Sequence, residues 1–188
     1  MQYPTTTGFY HFSVPAATCD YLHERMTAAL ATGYAQNQIV LTMKKRSHLG
    51  VGSSYQLYQV VNLLRDQELL RTLQGIEAQL PQRELLKDCR IRDAALVYAK
   101  QADSASKLPI HLMIDQLCHL TVLVVKGMLT VKAIEGAEEL QLSQGKVGSL
   151  SNQGSAAMHV IDDTMVLCWY LTDVSEQVMP IWKLYALV

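Results

Sequence analysis

The sequence predicts an α+β protein, with a helical N-terminal half packed on a C-terminal antiparallel β-sandwich or barrel. Four glycines of the C-terminal half lie nine residues apart and separate short runs of β-forming residues: Gly127, Gly136, Gly145 and Gly154. Glycine at such intervals is typical of tight turns between many short strands. Apolar residues before residue 90 recur instead at helical spacing. We therefore assign residues 1–89 to a mainly helical segment and residues 90–188 to a β domain, together forming one compact unit.

The first predicted helix spans Ala16–Thr32 and follows a short strand at Gly8–Val14. Pro15 lies just before the helix, where its fixed φ suits a helix start. The apolar positions that repeat with helical period are Leu22, Met26, Ala29 and Leu30. This period indicates a helix with one face turned toward the core.

Two more helices are predicted between a β-like run at Ile39–Met43 and residue 81. Ser53 or Ser54 can cap the first of them, and Asp66 can cap the second. The apolar positions of the first are Leu57, Val60, Val61 and Leu64. Those of the second, which Pro81 ends, are Leu69, Leu70, Leu73, Ile76 and Leu80.

The pattern changes to strands after Arg90, beginning with a strand that carries Ile91, Leu96 and Tyr98. The stretch Pro109–Leu120 fits either a helix or a strand, and we favour a strand because strands follow it without a break. The further predicted strands are Leu120–Lys126, Met128–Glu135, Glu138–Ser143, Lys146–Leu150, Ala156–Ile161, Thr164–Leu171 and Val178–Val188. Thr164–Leu171 is apolar on both faces, which predicts a central strand covered on both sides.

The composition excludes several classes of protein. A net charge of −1 favours neither nucleic acid nor an anionic membrane as a partner. The N-terminal residues lack the pattern of a signal peptide, and no segment has the ~20 apolar residues of a membrane helix. The four cysteines are scattered and form no CxxC pair, which indicates buried free thiols in a reducing compartment. We expect a cytoplasmic protein that binds no nucleic acid and no membrane.

Turn signals follow one another in a characteristic order in the β half. A strand ends at Gly127, and Glu135-Gly136, Leu142–Gly145, Asn152–Gly154 and Asp162-Asp163 come next. This order resembles that of the cupins, which are small double-stranded β-helices or jelly rolls. The resemblance implies that the β-sandwich is a cupin-like jelly roll.

The cupin metal motif is degenerate in this chain. The family places a His-x-His pair and a glutamate before the first turn glycine, and a further histidine after the later turn. The matching positions hold Met113, Asp115, Leu120 and Ala156, and His159 lies a few residues further on. The resemblance therefore implies a barrel without the usual metal site.

A second resemblance is to iron- and 2-oxoglutarate-dependent oxygenases, which also place helices ahead of a double-stranded β-helix. Their iron is held by a His-x-Asp pair and a distal histidine. The candidates here are His111, Asp115, His119 and His159, although His111-x-x-x-Asp115 departs from the family spacing. This resemblance implies a divalent metal such as iron as the cofactor.

Two functions follow from these residues. The first is a small-molecule-binding or regulatory module that takes a small apolar ligand, with His159, Trp169 and His119 as ligand-binding residues. The alternative is an iron-dependent oxygenase that uses His159 with His111, Asp115 or His119. No catalytic residue and no cofactor is assigned by the first reading. We also expect a homo-oligomer, a homodimer being the simplest form.

Overall fold

The computed structural model describes residues 8–33, 38–44, 54–60, 63–81, 88–101, 108–114, 119–133, 139–150, 156–160, 163–173 and 182–186. These residues form two α-helices, α1 (Ala16–Gly33) and α2 (Gln67–Glu77), and a short 3₁₀ turn at Leu63–Arg65. The strands are β1 (Gly8–Ser13), β2 (Gln38–Lys44), β3 (Ser54–Val60), β4 (Cys89–Gln101), β5 (Leu108–Ile114), β6 (His119–Lys126), β7 (Met128–Ala133), β8 (Glu139–Ser143), β9 (Lys146–Leu150), β10 (Ala156–Val160), β11 (Thr164–Asp173) and β12 (Trp182–Ala186).

The strands form two antiparallel sheets. One sheet has seven strands in the order β1-β9-β6-β11-β4-β3-β2, and the other has five in the order β12-β5-β10-β7-β8. From β4 to β11 the chain passes from one sheet to the other at every step except between β7 and β8, which pair with each other. This alternation between two packed sheets is consistent with a jelly roll of the cupin-like kind.

The turn glycines mark places where the chain changes sheet. Gly127 joins β6 to β7 with a φ of 91°, and Gly145 joins β8 to β9 with a φ of 84°. Asp163 precedes β11 and has a φ of 62°. The positive φ values of Gly127 and Gly145 confirm the turns predicted there, because residues with a Cβ rarely adopt that conformation. Gly136 and Gly154 lie outside the described residues.

Two of the predicted helices are confirmed. The one predicted at Ala16–Thr32 is α1, and the one predicted to be capped by Asp66 is α2. The N-cap of α2 is Asp66, whose Oδ1 accepts hydrogen bonds from the backbone N–H groups of Glu68 at 3.1 Å and Leu69 at 3.2 Å. Arg25 of α1 contacts the same region, 3.3 Å from the Asp66 carboxylate and 2.5 Å from that of Glu68. The start of α2 is thus held against α1.

The two helices cover one face of the seven-stranded sheet. Leu22 and Met26 of α1 and Leu73 of α2 are buried in one apolar cluster with the sheet residues Leu123 and Trp169. Since side chains alternate across a strand, the intervening residues Val122, Val124, Val166 and Cys168, all buried, belong to the opposite face. The predicted two-sided burial of β11 is therefore confirmed.

The helix predicted to begin at Ser53 or Ser54 is wrong. Residues Ser54–Val60 form β3, which pairs with β2 on one side and β4 on the other. The run SYQLYQV is rich in aromatic and β-branched residues, and its apolar positions fit both periods in so short a stretch. Backbone hydrogen bonds to β2 and β4 stabilise the extended conformation of this segment over the helical one. The residues before 90 thus supply helices and sheet strands together, and the division at residue 89 stays a prediction.

The strand interpretation of Pro109–Leu120 is confirmed where the chain is described, in β5 and at the start of β6. Cys19 and Cys168 are buried free thiols and Cys89 is half-buried, while Cys118 lies outside the described residues. Burial raises the pKa of Cys168 to about 12, so this thiol stays protonated at neutral pH. No described helix combines the length and apolarity needed to cross a membrane.

Candidate functional site: a buried carboxylate beside a cavity

A glutamate lies on the buried face of α2. Glu77 is only 4% exposed, next to the fully packed Ile76. It follows Leu73 by four residues and Leu69 by eight, so helical geometry places it in the same stripe as these leucines. Burial of a carboxylate costs free energy unless polar groups form hydrogen bonds with it. The residues around Glu77 therefore indicate the role of this side chain.

Two side chains of the sheet donate hydrogen bonds to the same oxygen of Glu77. The indole Nε1 of Trp169 lies 2.7 Å from Oε1, and the Thr121 hydroxyl also donates to Oε1. Trp169 on β11 and Thr121 on β6 are direct cross-strand partners, so their donors lie side by side. Both are essentially inaccessible to solvent. The two donors therefore satisfy one oxygen of a carboxyl group that is itself buried.

The polar positions continue along the same row of the sheet. Thr121 pairs with Ser149 of β9, and Oγ of Ser149 lies 2.7 Å from Nε2 of His11. His11 belongs to β1 at a register shift between Tyr10 and Phe12, a bulge that re-aims a side chain. Burial lowers the pKa of His11. We call His11, Ser149, Thr121, Trp169 and Glu77 the polar row.

A cavity of about 480 Å³ opens beside Glu77, between α2, the start of β4 and the end of β11. Its lining residues are Leu70, Gln74, Glu77, Cys89, Arg90, Ile91 and Leu171. The volume falls within the range of about 300–1,000 Å³ that is usual for small-molecule sites. Gln74, Glu77 and Arg90 bring polar or charged groups to this lining, and the other lining side chains are apolar. Glu77 belongs both to this cavity and to the polar row.

The arrangement suits binding. A carboxylate with one oxygen held by two donors keeps a fixed orientation, and it accepts hydrogen bonds or balances a positive charge. Within the described ranges, no group of three or more His, Cys, Asp or Glu residues is placed to hold a metal ion. The space between the two sheets is filled, in its described part, by aliphatic side chains such as Val122, Val124, Leu129 and Leu142.

The histidines named by the sequence are divided between the two sheets. His119 lies on β6 in the seven-stranded sheet, in register with Leu171. His111 and His159 lie on β5 and β10, which are neighbours in the five-stranded sheet. There His111 pairs with Ala157, and His159 pairs with Pro109. Backbone pairing thus brings positions 111 and 159 within one diagonal step and leaves 119 in the other sheet. Asp115 lies outside the described residues.

Trp169 lies on the helix-covered face of the seven-stranded sheet, where it is fully buried. Its described polar contact is the hydrogen bond to Glu77. Trp169 is not one of the cavity's lining residues, but it contacts Glu77, which is. The ligand-binding roles expected of Trp169, His119 and His159 stay predictions.

The sequence reasoning missed Glu77, Thr121, Ser149 and His11. One signal was present for Glu77: a charged residue within the apolar stripe of a predicted helix has to find a buried partner. Thr121, Ser149 and His11 carried no such signal, because each is an ordinary residue in a strand.

No protein-family model matches this chain, and no curated protein matches it. Among solved structures it is similar to a 2OG-Fe(II) oxygenase family oxidoreductase from Burkholderia pseudomallei, at 13% identity and a TM-score of 0.46, over 89% of this chain and 84% of that one. A prolyl-4-hydroxylase from Pseudomonas putida matches at 12% identity and a TM-score of 0.47, over 88% and 91%. The DMSP lyase DddQ from Ruegeria pomeroyi matches at 11% identity and a TM-score of 0.36, over 96% and 84%. At this level of likeness no activity carries over.

Proposed function

We propose that this protein is a small-molecule-binding or regulatory module built on a cupin-like barrel without the usual metal site. The observation that carries the proposal is the 480 Å³ cavity with the buried carboxylate of Glu77 in its wall. Leu70, Ile91 and Leu171 supply the apolar part of the cavity surface, and Gln74, Glu77 and Arg90 supply its polar part. We therefore propose a ligand site between α2 and the sheet, and not inside the barrel.

The test is to obstruct the cavity from its rim. Gln74 lines the cavity and is exposed, so Gln74→Phe adds bulk there without disturbing the core. Gln67→Phe is the matched control, since Gln67 is an exposed residue of the same helix that does not line the cavity. Benzyl alcohol serves as a neutral probe, and its binding is followed by the fluorescence of Trp169 in a Trp182→Phe background, which leaves one tryptophan.

We expect benzyl alcohol to bind the parent protein and the Gln67→Phe variant alike, and to bind Gln74→Phe at least several-fold more weakly. Equal binding by all three proteins would mean that the cavity is not the ligand site. Absence of binding to the parent protein would remove the support for a binding module with this cavity.

A metal-dependent oxygenase is the second candidate, and one observation favours it. The pairing of β5 with β10 brings the positions of His111 and His159 to neighbouring strands, close enough for two ligands of one ion. These two positions alone do not make the three-residue set that such iron sites use. Stoichiometric iron in protein purified without chelator, lost in both His111→Ala and His159→Ala, would support the oxygenase and overturn the metal-free module.

A homo-oligomeric state and a cytoplasmic location belong to the same proposal. Light scattering of the purified protein tests the first, because a mass equal to the chain's 21.0 kDa would contradict it. Fractionation of the source cells tests the second.

A further inference from the structure

A histidine and a serine from distant parts of the chain meet at one end of the polar row. Nε2 of His11 lies 2.7 Å from Oγ of Ser149, across 138 residues of sequence. We propose that Ser149 is a nucleophile, that His11 is its general base, and that the pair transfers acyl groups from small esters. This activity goes beyond the proposed function, because neither residue lines the cavity beside Glu77.

The strand β1 is bulged at the position that brings the imidazole to this serine. Phe12 is in register with Val147, and the register shifts between Tyr10 and Phe12, which makes His11 the extra residue of a bulge. Phe12 and Val147 both pack in the apolar cluster, on the face of β9 that also carries Ser149. His11 shares that face with Phe12 although the two are neighbours in sequence, which regular alternation would not allow. The bulge thus lets Phe12 pack in the core while His11 bonds to Ser149.

The protonation state of the histidine suits a general base. Burial lowers the pKa of His11 from its ordinary value of 6.5, so the imidazole is predominantly neutral at neutral pH. With its own proton on Nδ1, the ring accepts a hydrogen bond at Nε2 from the Ser149 hydroxyl. The observed distance lies within the range of about 2.6–3.2 Å that is expected between a nucleophile and its base. Nε2 is therefore placed to take the proton as Oγ attacks.

Both residues of the pair remain partly exposed. His11 and Ser149 are half-buried, so a small ester has access to part of each residue. On the other side of Ser149 lies its cross-strand partner Thr121, whose hydroxyl donates to Glu77. The hydrogen bond described for the Ser149 hydroxyl is the one to His11, which gives its proton a base to move to.

The proposed reaction has two balanced steps. Oγ of Ser149 forms a bond to the acyl carbon of the ester while its proton passes to Nε2 of His11. The bond from the acyl carbon to the alcohol oxygen breaks, and that oxygen takes the proton from the imidazolium. Water then attacks the acyl-serine and gives a proton to Nε2, and Oγ regains this proton as the carboxylic acid leaves. One ester and one water become one acid and one alcohol, and nothing is oxidised or reduced.

Acetylation by p-nitrophenyl acetate at neutral pH tests the proposal on the full chain, with the modified residue found by mass spectrometry of its peptides. We expect an acetyl group on Ser149 in the parent protein and none at this position in Ser149→Ala. Ser13→Ala is the matched control and should react like the parent, because Ser13 is an exposed serine of β1 whose hydroxyl lies 3.2 Å from that of Tyr10. In His11→Gln the reaction at Ser149 should be about 100-fold slower or more, since a general base contributes about 10²–10⁴-fold.

Release of p-nitrophenolate is followed in the same samples, because a fast second step would leave little acetyl-serine. The inference is overturned if the parent protein carries no acetyl-Ser149 and also releases p-nitrophenolate no faster than Ser149→Ala does. Equal rates in the parent and in His11→Gln would overturn it too, because His11 would then not act as the base.

A further measurement needs no variant. The parent protein should react more slowly in heavy water than in ordinary water, because a proton moves from Oγ to Nε2 during the attack. Equal rates in the two solvents would contradict general-base catalysis by His11. None of these outcomes changes the expected binding of benzyl alcohol at the cavity, so this inference and the proposed function can fail separately.

Discussion

Replacing Thr121 by valine removes one of the two donors that hold Glu77 and leaves the volume of the side chain almost unchanged. Thr121 is 1% exposed and its hydroxyl donates to Oε1 of Glu77, which is itself 4% exposed. The substitution therefore leaves the carboxylate buried, with the Trp169 indole still donating to the same oxygen. No cavity opens, so the lost hydrogen bond dominates the change in stability.

The magnitude follows from the kind of hydrogen bond that is lost. Hydrogen bonds to groups such as carboxylates contribute about 1.5–3 kcal/mol to the free energy of unfolding, and the full cost of an unsatisfied buried acceptor does not arise because Trp169 still donates to Oε1. The new methyl group returns a part of this by the hydrophobic effect. We expect a loss of about 2 kcal/mol, which for a chain of this length lowers the Tm by roughly 4–8 °C.

Urea unfolding followed by circular dichroism measures this change, with Thr130→Val as the control. Thr130 is a strand threonine of the five-stranded sheet, 3% exposed, and makes no hydrogen bond to a carboxylate among the described residues. The control should change the free energy of unfolding by well under 1 kcal/mol. If both variants lose the same amount, the Thr121 hydroxyl does not anchor Glu77, and the polar row loses its central contact.

Two further predictions concern the turns and the histidine of the polar row. Gly127→Ala should destabilise the fold by about 2–4 kcal/mol in the same assay, because φ is +91° and the new Cβ would lie 2.9 Å from Cα of Thr164. The second concerns His11, whose pKa burial lowers from 6.5. As pH falls below that value the unfolded chain binds the proton more readily than the folded protein, so stability present above it is progressively lost. His11→Gln should reduce this loss, as urea midpoints at about pH 8 and about pH 5 will show.

Each of these has a contradicting outcome. Gly75→Ala is the control for the first, since a Cβ there meets nothing within 4 Å and alanine suits a helix. Equal stability of the Gly127 and Gly75 variants would refute the steric argument. For His11, an unchanged pH dependence in His11→Gln would show that other groups carry it.

Much of the local structure was predictable because its causes lie within a few residues. Asp66 caps α2 through backbone N–H groups two and three residues away, and Gly127 and Gly145 turn the chain at their own φ angles. The error at β3 has the opposite origin. In so short a run the helical and strand periods are both satisfied, and pairing with β2 and β4 settled the outcome.

The sequence by itself determined α1 and α2, the turns at Gly127 and Gly145, the described strands of the β half and the two-sided burial of β11. Only the tertiary structure decided which strands are neighbours, and with that the candidate site. Glu77 meets Thr121 across 44 residues of sequence and Trp169 across 92. No local pattern encodes such contacts, because they arise when β6 and β11 pair and α2 packs on both. A charged residue type in the apolar stripe of a helix can be recognised in the sequence as needing polar partners. Which residues those partners are depends on how the helix packs on the sheet.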